Sequence, residues 1–203
     1  MIDNVSFPQP EQTHLEKSPR VLVWDILVRI FHWTVVAGFA LEMFVLDEGK
    51  WQHRWVGYVI LSAILIRILW GFGGTTHARY ADWFPTPKKL YIYISSLLKG
   101  NEPRYIGHNP AGAVMMIALI LAMTACGITG WMQGLDRFWG EEWIQETHEV
   151  LANSILVLAG IHVLGAIVES FRHKENLILS MITGYKRAAK GRDIDYADTS
   201  DRR

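Results

Sequence analysis

Four stretches of apolar residues, each close to the ~20 residues that carry a helix across hydrocarbon, leave this chain few ways to fold. The first runs from about Val21 to Leu46 and the second from about His53 to Phe72. The third follows Pro110 and ends near Gly134, and the fourth runs from about His148 to Phe171. Lipid offers the backbone no hydrogen-bond partner, so stretches of this length span as helices and not as strands. The expected fold is all-α: a membrane bundle of four transmembrane helices over residues 21–187. A polar N-terminal tail (1–20) and a polar C-terminal tail (188–203) flank it. The N-terminal tail has no apolar core and is not read as a cleavable signal peptide, so the first apolar helix is expected to direct insertion. The lipid bilayer is the expected surrounding, and no nucleic-acid partner is expected.

The charges lie in the tails and connections and set an orientation. Lys17, Arg20 and Arg29 stand at the start. Arg79, Lys88, Lys89, Lys99 and Arg104 lie between spans two and three, and a further basic group follows span four. The connection between spans three and four instead holds Asp136, Glu141, Glu142 and Glu146 against Arg137 alone. Basic loops stay cytoplasmic, so both termini and the middle connection are expected inside and the two short connections outside. Within the middle connection, Pro85 and Pro87 open and Gly100 closes a short amphipathic segment with Leu90, Tyr91, Tyr93 and Leu97. It reads as an interfacial helix or an ordered loop. Trp51, Trp55, Trp139 and Trp143 fall where interfacial anchors are expected.

Histidine inside a bilayer is costly and marks function. Four histidines, His32, His53, His148 and His162, fall in the apolar helices. His148 and His162 are fourteen residues apart in one helix. At ~100° and ~1.5 Å per residue they face within ~40° of each other and are ~21 Å apart in depth. His53 opens the second span at the outer side, level with His148. His32 lies about fourteen residues before the outer end of the first span, ~20 Å deeper and level with His162. Two depth-matched pairs on facing helices suit two haems, each iron taking an imidazole from either side. The haem would be non-covalent, because the chain has no C-x-x-C-H and a single cysteine, Cys126, read as a small core residue.

Other residues carry two readings each. Gly57, one turn after His53, and Gly165, near His162, would let a macrocycle approach the backbone or would serve tight helix packing. Arg67 shares a face with His53 fourteen residues on. It would pair with a propionate of the inner haem or snorkel to the surface, and Arg29, one turn before His32, has the same two readings. His14 and His173 are read as solvated. His77 and His108 are read as loop residues that could touch a quinone headgroup. Met115, Met116 and Met123 are read as packing. Asp25, Glu42, Glu149 and Glu169 lie near span ends, where a proton or metal transporter would instead place carboxylates deep in the membrane.

Several ordered stretches complete the picture: Val23-Trp-Asp with Arg29-Ile-Phe-His-Trp33, His53-Arg-Trp-Val-Gly-Tyr58, and Arg67-Ile-Leu-Trp-Gly-Phe-Gly-Gly74. Ala78-Arg-Tyr-Ala-Asp82, Gly107-His-Asn-Pro-Ala-Gly112, His148 with His162, and Glu175-Asn-Leu followed by Met-Ile-Thr-Gly184 come after them. Over residues 20 to 187 the chain resembles the bacterial cytochrome b561 and nickel–iron hydrogenase b-type cytochrome family. The resemblance implies four membrane helices and two haems b, with His32 paired to His162 and His53 to His148. That pairing is the one reached from depth.

The expected function is electron transfer across the bacterial inner membrane between the quinone pool and a periplasmic redox partner, a c-type cytochrome or an oxidoreductase subunit. Two alternatives stand beside it. One is a stand-alone quinone oxidoreductase that takes electrons from a small donor such as superoxide. The other is a histidine-based metal transporter without haem.

Overall fold

A computed structural model of the chain describes residues 19–196. His14, Lys17, Arg202 and Arg203 lie outside the described residues. Four helices are long and apolar enough to cross a membrane: α1 (Ile26–Phe44), α2 (Trp51–Gly73), α5 (Pro110–Met132) and α6 (Glu142–Arg172). Between and after them come α3 (Tyr80–Trp83), α4 (Pro87–Leu98) and α7 (Leu177–Thr183). Strands β1 (Arg20–Leu22) and β2 (Tyr185–Arg187) pair antiparallel. This is the expected helical bundle, closed at one end by a small sheet.

The helix starts follow from local chemistry. Asp25 caps α1 by accepting the Val28 N–H at 2.8 Å. Asn109 caps α5 by accepting from Gly112, and Pro110 supplies the preset backbone angle of the first turn. Thr86 and Pro87 start α4 in the same way. The Asp25 carboxylate does more than cap. Its Oδ2 also accepts from Trp70 Nε1 at 2.9 Å and from Thr75 Oγ1 at 2.7 Å, so it ties the start of α1 to the end of α2. Burial pushes this carboxyl up, but the hydrogen bonds outweigh burial and hold it below the usual carboxylate range.

The helices pack in chain order. α1 lies on α2, α2 on α5, and α5 on α6 along the most extensive interface. α1 and α6 share no extended direct interface. Large apolar side chains on the outside, among them Leu65, Leu69 and Phe72 of α2 and Leu164 and Phe171 of α6, are exposed. A solvated surface of that kind is unfavourable and a lipid-facing one is not. Trp51, Trp55, Trp139 and Trp143 are all exposed at the end of the bundle away from the sheet.

At the other end a cap is built from the middle connection and the C-terminal segment. The Val23 and Trp24 N–H groups both donate to the Gly184 carbonyl. Gly184 has φ +87°, a left-handed turn that glycine adopts without strain. Arg104 is buried, with Nε and Nη2 on the Glu175 carboxylate, Nη1 on Asp193 at 2.6 Å and Nη2 on the Arg187 carbonyl at 2.7 Å. Lys186 donates to the Tyr105 carbonyl, and burial pulls its ammonium down to about 8 despite nearby Glu175. Ile194 exchanges backbone hydrogen bonds with Arg104 and Ile106, and Tyr196 is buried with Trp83 and Ala113.

Three sequence expectations change here. Residues 20–22 form β1 and not the first turns of a span, because Asp25 starts the helix and β2 takes up the preceding backbone. The fourth helix begins at Glu142, six residues before His148, with Glu142, Gln145 and Glu146 interrupting its apolar start. His173 is not a solvated tail residue. It is largely covered, with Nε2 3.1 Å from Glu169. Glu169 also accepts from Tyr93 Oη at 2.6 Å, and Arg172 pairs with Glu102 beside them.

Candidate functional site

His53, in the first turn of α2, and His148, in the second turn of α6, meet at the end of the bundle away from the cap. Their ring centroids are 6.2 Å apart and their planes are inclined at 71°. That separation has a chemical meaning. An imidazole nitrogen holds a first-row metal ion at ~2.0 Å. Conjugated ring bonds of ~1.33 Å place each nitrogen about 1.2 Å from its ring centre. Two imidazoles sharing one iron therefore need centroids about 6.3 Å apart.

The two rings are oriented differently. His148 Nδ1 lies 3.0 Å from the Cys126 carbonyl and 3.1 Å from Thr129 Oγ1, both on α5. With Nδ1–H donated to that carbonyl, Nε2 is the nitrogen left to bind a metal. Gly130 makes room for the ring, because a Cβ there would come within 3.0 Å of His148 Cε1. His53 Nδ1 instead lies against the carboxylate of Glu42 on α1. Nδ1 of His53 and both Glu42 oxygens are buried, the two groups are in direct contact, and the backbone N–H of Gly57 also approaches that carboxyl group.

His32 on α1 and His162 on α6 lie within electrostatic reach of each other, nearer the cap. His32 Nδ1 is buried without a hydrogen-bond partner, and its ring stands edge-on to Trp33 at 5.1 Å. The His162 ring is exposed. An orphaned buried imidazole nitrogen on α1 and an uncovered imidazole on α6, two helices that do not pack closely, suit a ligand held between helices.

The remaining residues singled out in the sequence sort as follows. Arg67 does not snorkel: its side chain is 1 % exposed. Nη2 donates to the Ala78 carbonyl at 3.1 Å, the guanidinium sits 5.3 Å from the Tyr80 ring centre, and Nη1 is buried without a partner. Arg29 donates through Nη2 to the Ile182 carbonyl of α7, and its Nε is buried without a partner. Gly57 lies beside Glu42, 4.0 Å from Oε1 to a Cβ placed there. Gly165 faces open space. His108 is buried between Trp24 and Trp83, each ring 4.8 Å away, and desolvation pulls it down to about 3, so it is neutral. His77 pairs with Asp195 at 3.1 Å. Met116 packs against Arg67, with its sulfur 3.9 Å from Nη2.

The family model described as prokaryotic cytochrome b561 matches residues 23–184. The chain belongs to the prokaryotic cytochrome b561 family. A b-type cytochrome implies haem b, and a helical membrane protein is what the four apolar spans require. Among the similar proteins is a probable Ni/Fe-hydrogenase B-type cytochrome subunit of Bradyrhizobium diazoefficiens, 25% identical over 83% of this chain and 87% of the relative. One from Rhodobacter capsulatus is 26% identical over 85% and 83%, and one from Azotobacter vinelandii 22% over 86% and 92%. No solved structure matches the chain.

The sequence singles out His32, His53, His148 and His162 but gives no sign of the groups that contact His53 and His148. Thr129, Gly130 and the Cys126 carbonyl lie on a helix without histidine. Glu42 looked like one more acidic residue at a span end. A small residue one turn after Cys126 was the available signal.

Proposed function

We propose that this chain is a dihaem b-type cytochrome that carries electrons across the bacterial inner membrane. His32 with His162 and His53 with His148 would hold the two irons. Quinone would be one redox partner, and a hydrogenase-type oxidoreductase or a c-type cytochrome on the periplasmic side the other. The hydrogenase alternative draws support from the names of the relatives. Both termini and the cap would face the cytoplasm, since the basic residues gather there. On this reading α4, with Lys88 and Lys89 beside exposed Tyr91 and Ile92, lies along the cytoplasmic membrane surface.

The observation that carries the proposal is the 6.2 Å separation of the His53 and His148 rings, with His148 Nδ1 already engaged by α5. When bound, haem b would supply a one-electron iron couple, and His32, His53, His148 and His162 would hold it. The residues around it position and tune. The α5 carbonyl fixes the His148 tautomer. Burial of Arg67 places a cation in a low-dielectric interior near the cap.

A reduced-minus-oxidised spectrum of the purified chain, with haem per polypeptide, tests this directly. Two b-type haems per chain, reducible by a quinol in liposomes, are expected; a colourless folded protein contradicts the proposal. Valine at Gly130 gives a second expected result. It would drive the His148 ring from its seat, so the haem at the His53/His148 level should be lost or turn high-spin while the other stays unchanged. Haem content and low-temperature spectra check it.

A further inference from the structure

Glu42 is an expensive residue where it stands. It lies in the last turns of α1, its side chain is 10 % exposed, and no side chain hydrogen-bonds either carboxylate oxygen, only the backbone N–H of Gly57 approaching the group. A carboxyl in a membrane-spanning helix without compensation is unfavourable and marks a task. Among the described residues no cation pairs with it. Lys50, in the connection that follows α1, is paired with Asp47. What the carboxylate does meet is His53 Nδ1, itself buried and otherwise without a partner. Two buried groups in direct contact, neither hydrogen-bonded to another side chain, have one economical arrangement, in which the imidazole Nδ1–H donates to the carboxylate.

We propose that Glu42 is the positioning residue for His53: its carboxylate takes the Nδ1–H, so that Nε2 is the atom presented toward His148. The proposal rests on the haem reading above and adds to it. It makes the two imidazoles at this level unequal. His148 has neutral partners, the Cys126 carbonyl and Thr129, and His53 has a carboxylate. A carboxylate on the far nitrogen fixes the ring and raises the basicity of the nitrogen that ligates. A more basic ligand stabilises the oxidised iron. The haem at the His53/His148 level therefore has a lower midpoint potential than it would with a neutral acceptor. Glu42 also sets the ring from a different helix, so α1 contributes to both haem levels, through His32 at one and through Glu42 at the other.

The experiment is a redox titration of the full-length, haem-loaded protein with E42Q and E42L. Glutamine keeps an acceptor and removes the carboxylate. E42Q is expected to retain both haems, to raise the midpoint potential of one of them, and to move the low-spin ferric EPR signal of that haem alone. The haem that moves should be the one lost in His148→Ala. E42L removes the acceptor and is expected to weaken binding of that same haem about 10- to 100-fold, the range for loss of a ligand's hydrogen-bond partner. Unchanged potentials and EPR signals in E42Q, or a shift in the haem that His32→Ala removes, would overturn the role of Glu42 while leaving the dihaem reading intact. A wild-type protein without haem would overturn both.

Discussion

Alanine at His53 or at His148 is expected to strip the same haem from the protein, and alanine at His32 or His162 the other. Each haem would be held non-covalently by two axial bonds, so removing either ligand leaves an iron with one anchor and an open side. Haem per polypeptide should fall from two to about one in every single variant. The pairing is read from the combinations. His53→Ala with His148→Ala should be no worse than either alone, because the two residues act on one object and their effects do not add. His53→Ala with His32→Ala should leave none. The rings of His53 and His148 are 6.2 Å apart, so at that level the expectation is sharp. A result in which His53→Ala and His162→Ala remove the same spectral component would contradict the pairing at both levels.

The spans and their histidines are legible in sequence because they depend on local quantities, apolar length and helical rise. What cannot be read locally is what crosses between helices. Asp25 looks like an acidic residue at a span boundary, yet its second oxygen joins Trp70 and Thr75 at the far end of α2. The third membrane helix offers no ligand, so its sequence gives no sign that a carbonyl at Cys126 orients His148. Orienting through a main-chain atom leaves no residue type to recognise. The start of α6 is hidden for another reason. Glu142, Glu146 and Glu149 are exposed, and a hydropathy criterion starts the helix only where the charges stop. The cap escapes for a third. β1 and β2 are three residues each and about 160 positions apart, and short strands become stable only when their partner is brought in by the bundle.

Arg67→Leu is expected to lower the midpoint potential of the haem at the His32/His162 level and to destabilise the cap. Two effects of the side chain separate in this variant. The first is structural: Nη2 satisfies the Ala78 carbonyl, and a buried acceptor left without a donor costs about 1–3 kcal/mol. Contact with the Tyr80 ring is lost too. The second is electrostatic. A guanidinium that is 1 % exposed is little screened by water, and even at ~10 Å a unit charge acts with roughly 1–2 kcal/mol at an effective dielectric of about 20. A nearby positive charge favours the iron state that carries one more electron, so its removal makes that haem harder to reduce. Arg67→Lys separates the two effects, since the ammonium keeps the charge and the fork that reaches Ala78 is gone. Lysine should restore most of the potential and little of the thermal stability. Redox titration of each haem, set beside thermal unfolding in detergent, reads both. If Arg67→Leu keeps both haems at unchanged potentials, Arg67 is a strut of the cap that holds Ala78 and Tyr80, and the iron nearest to it is tuned by other groups.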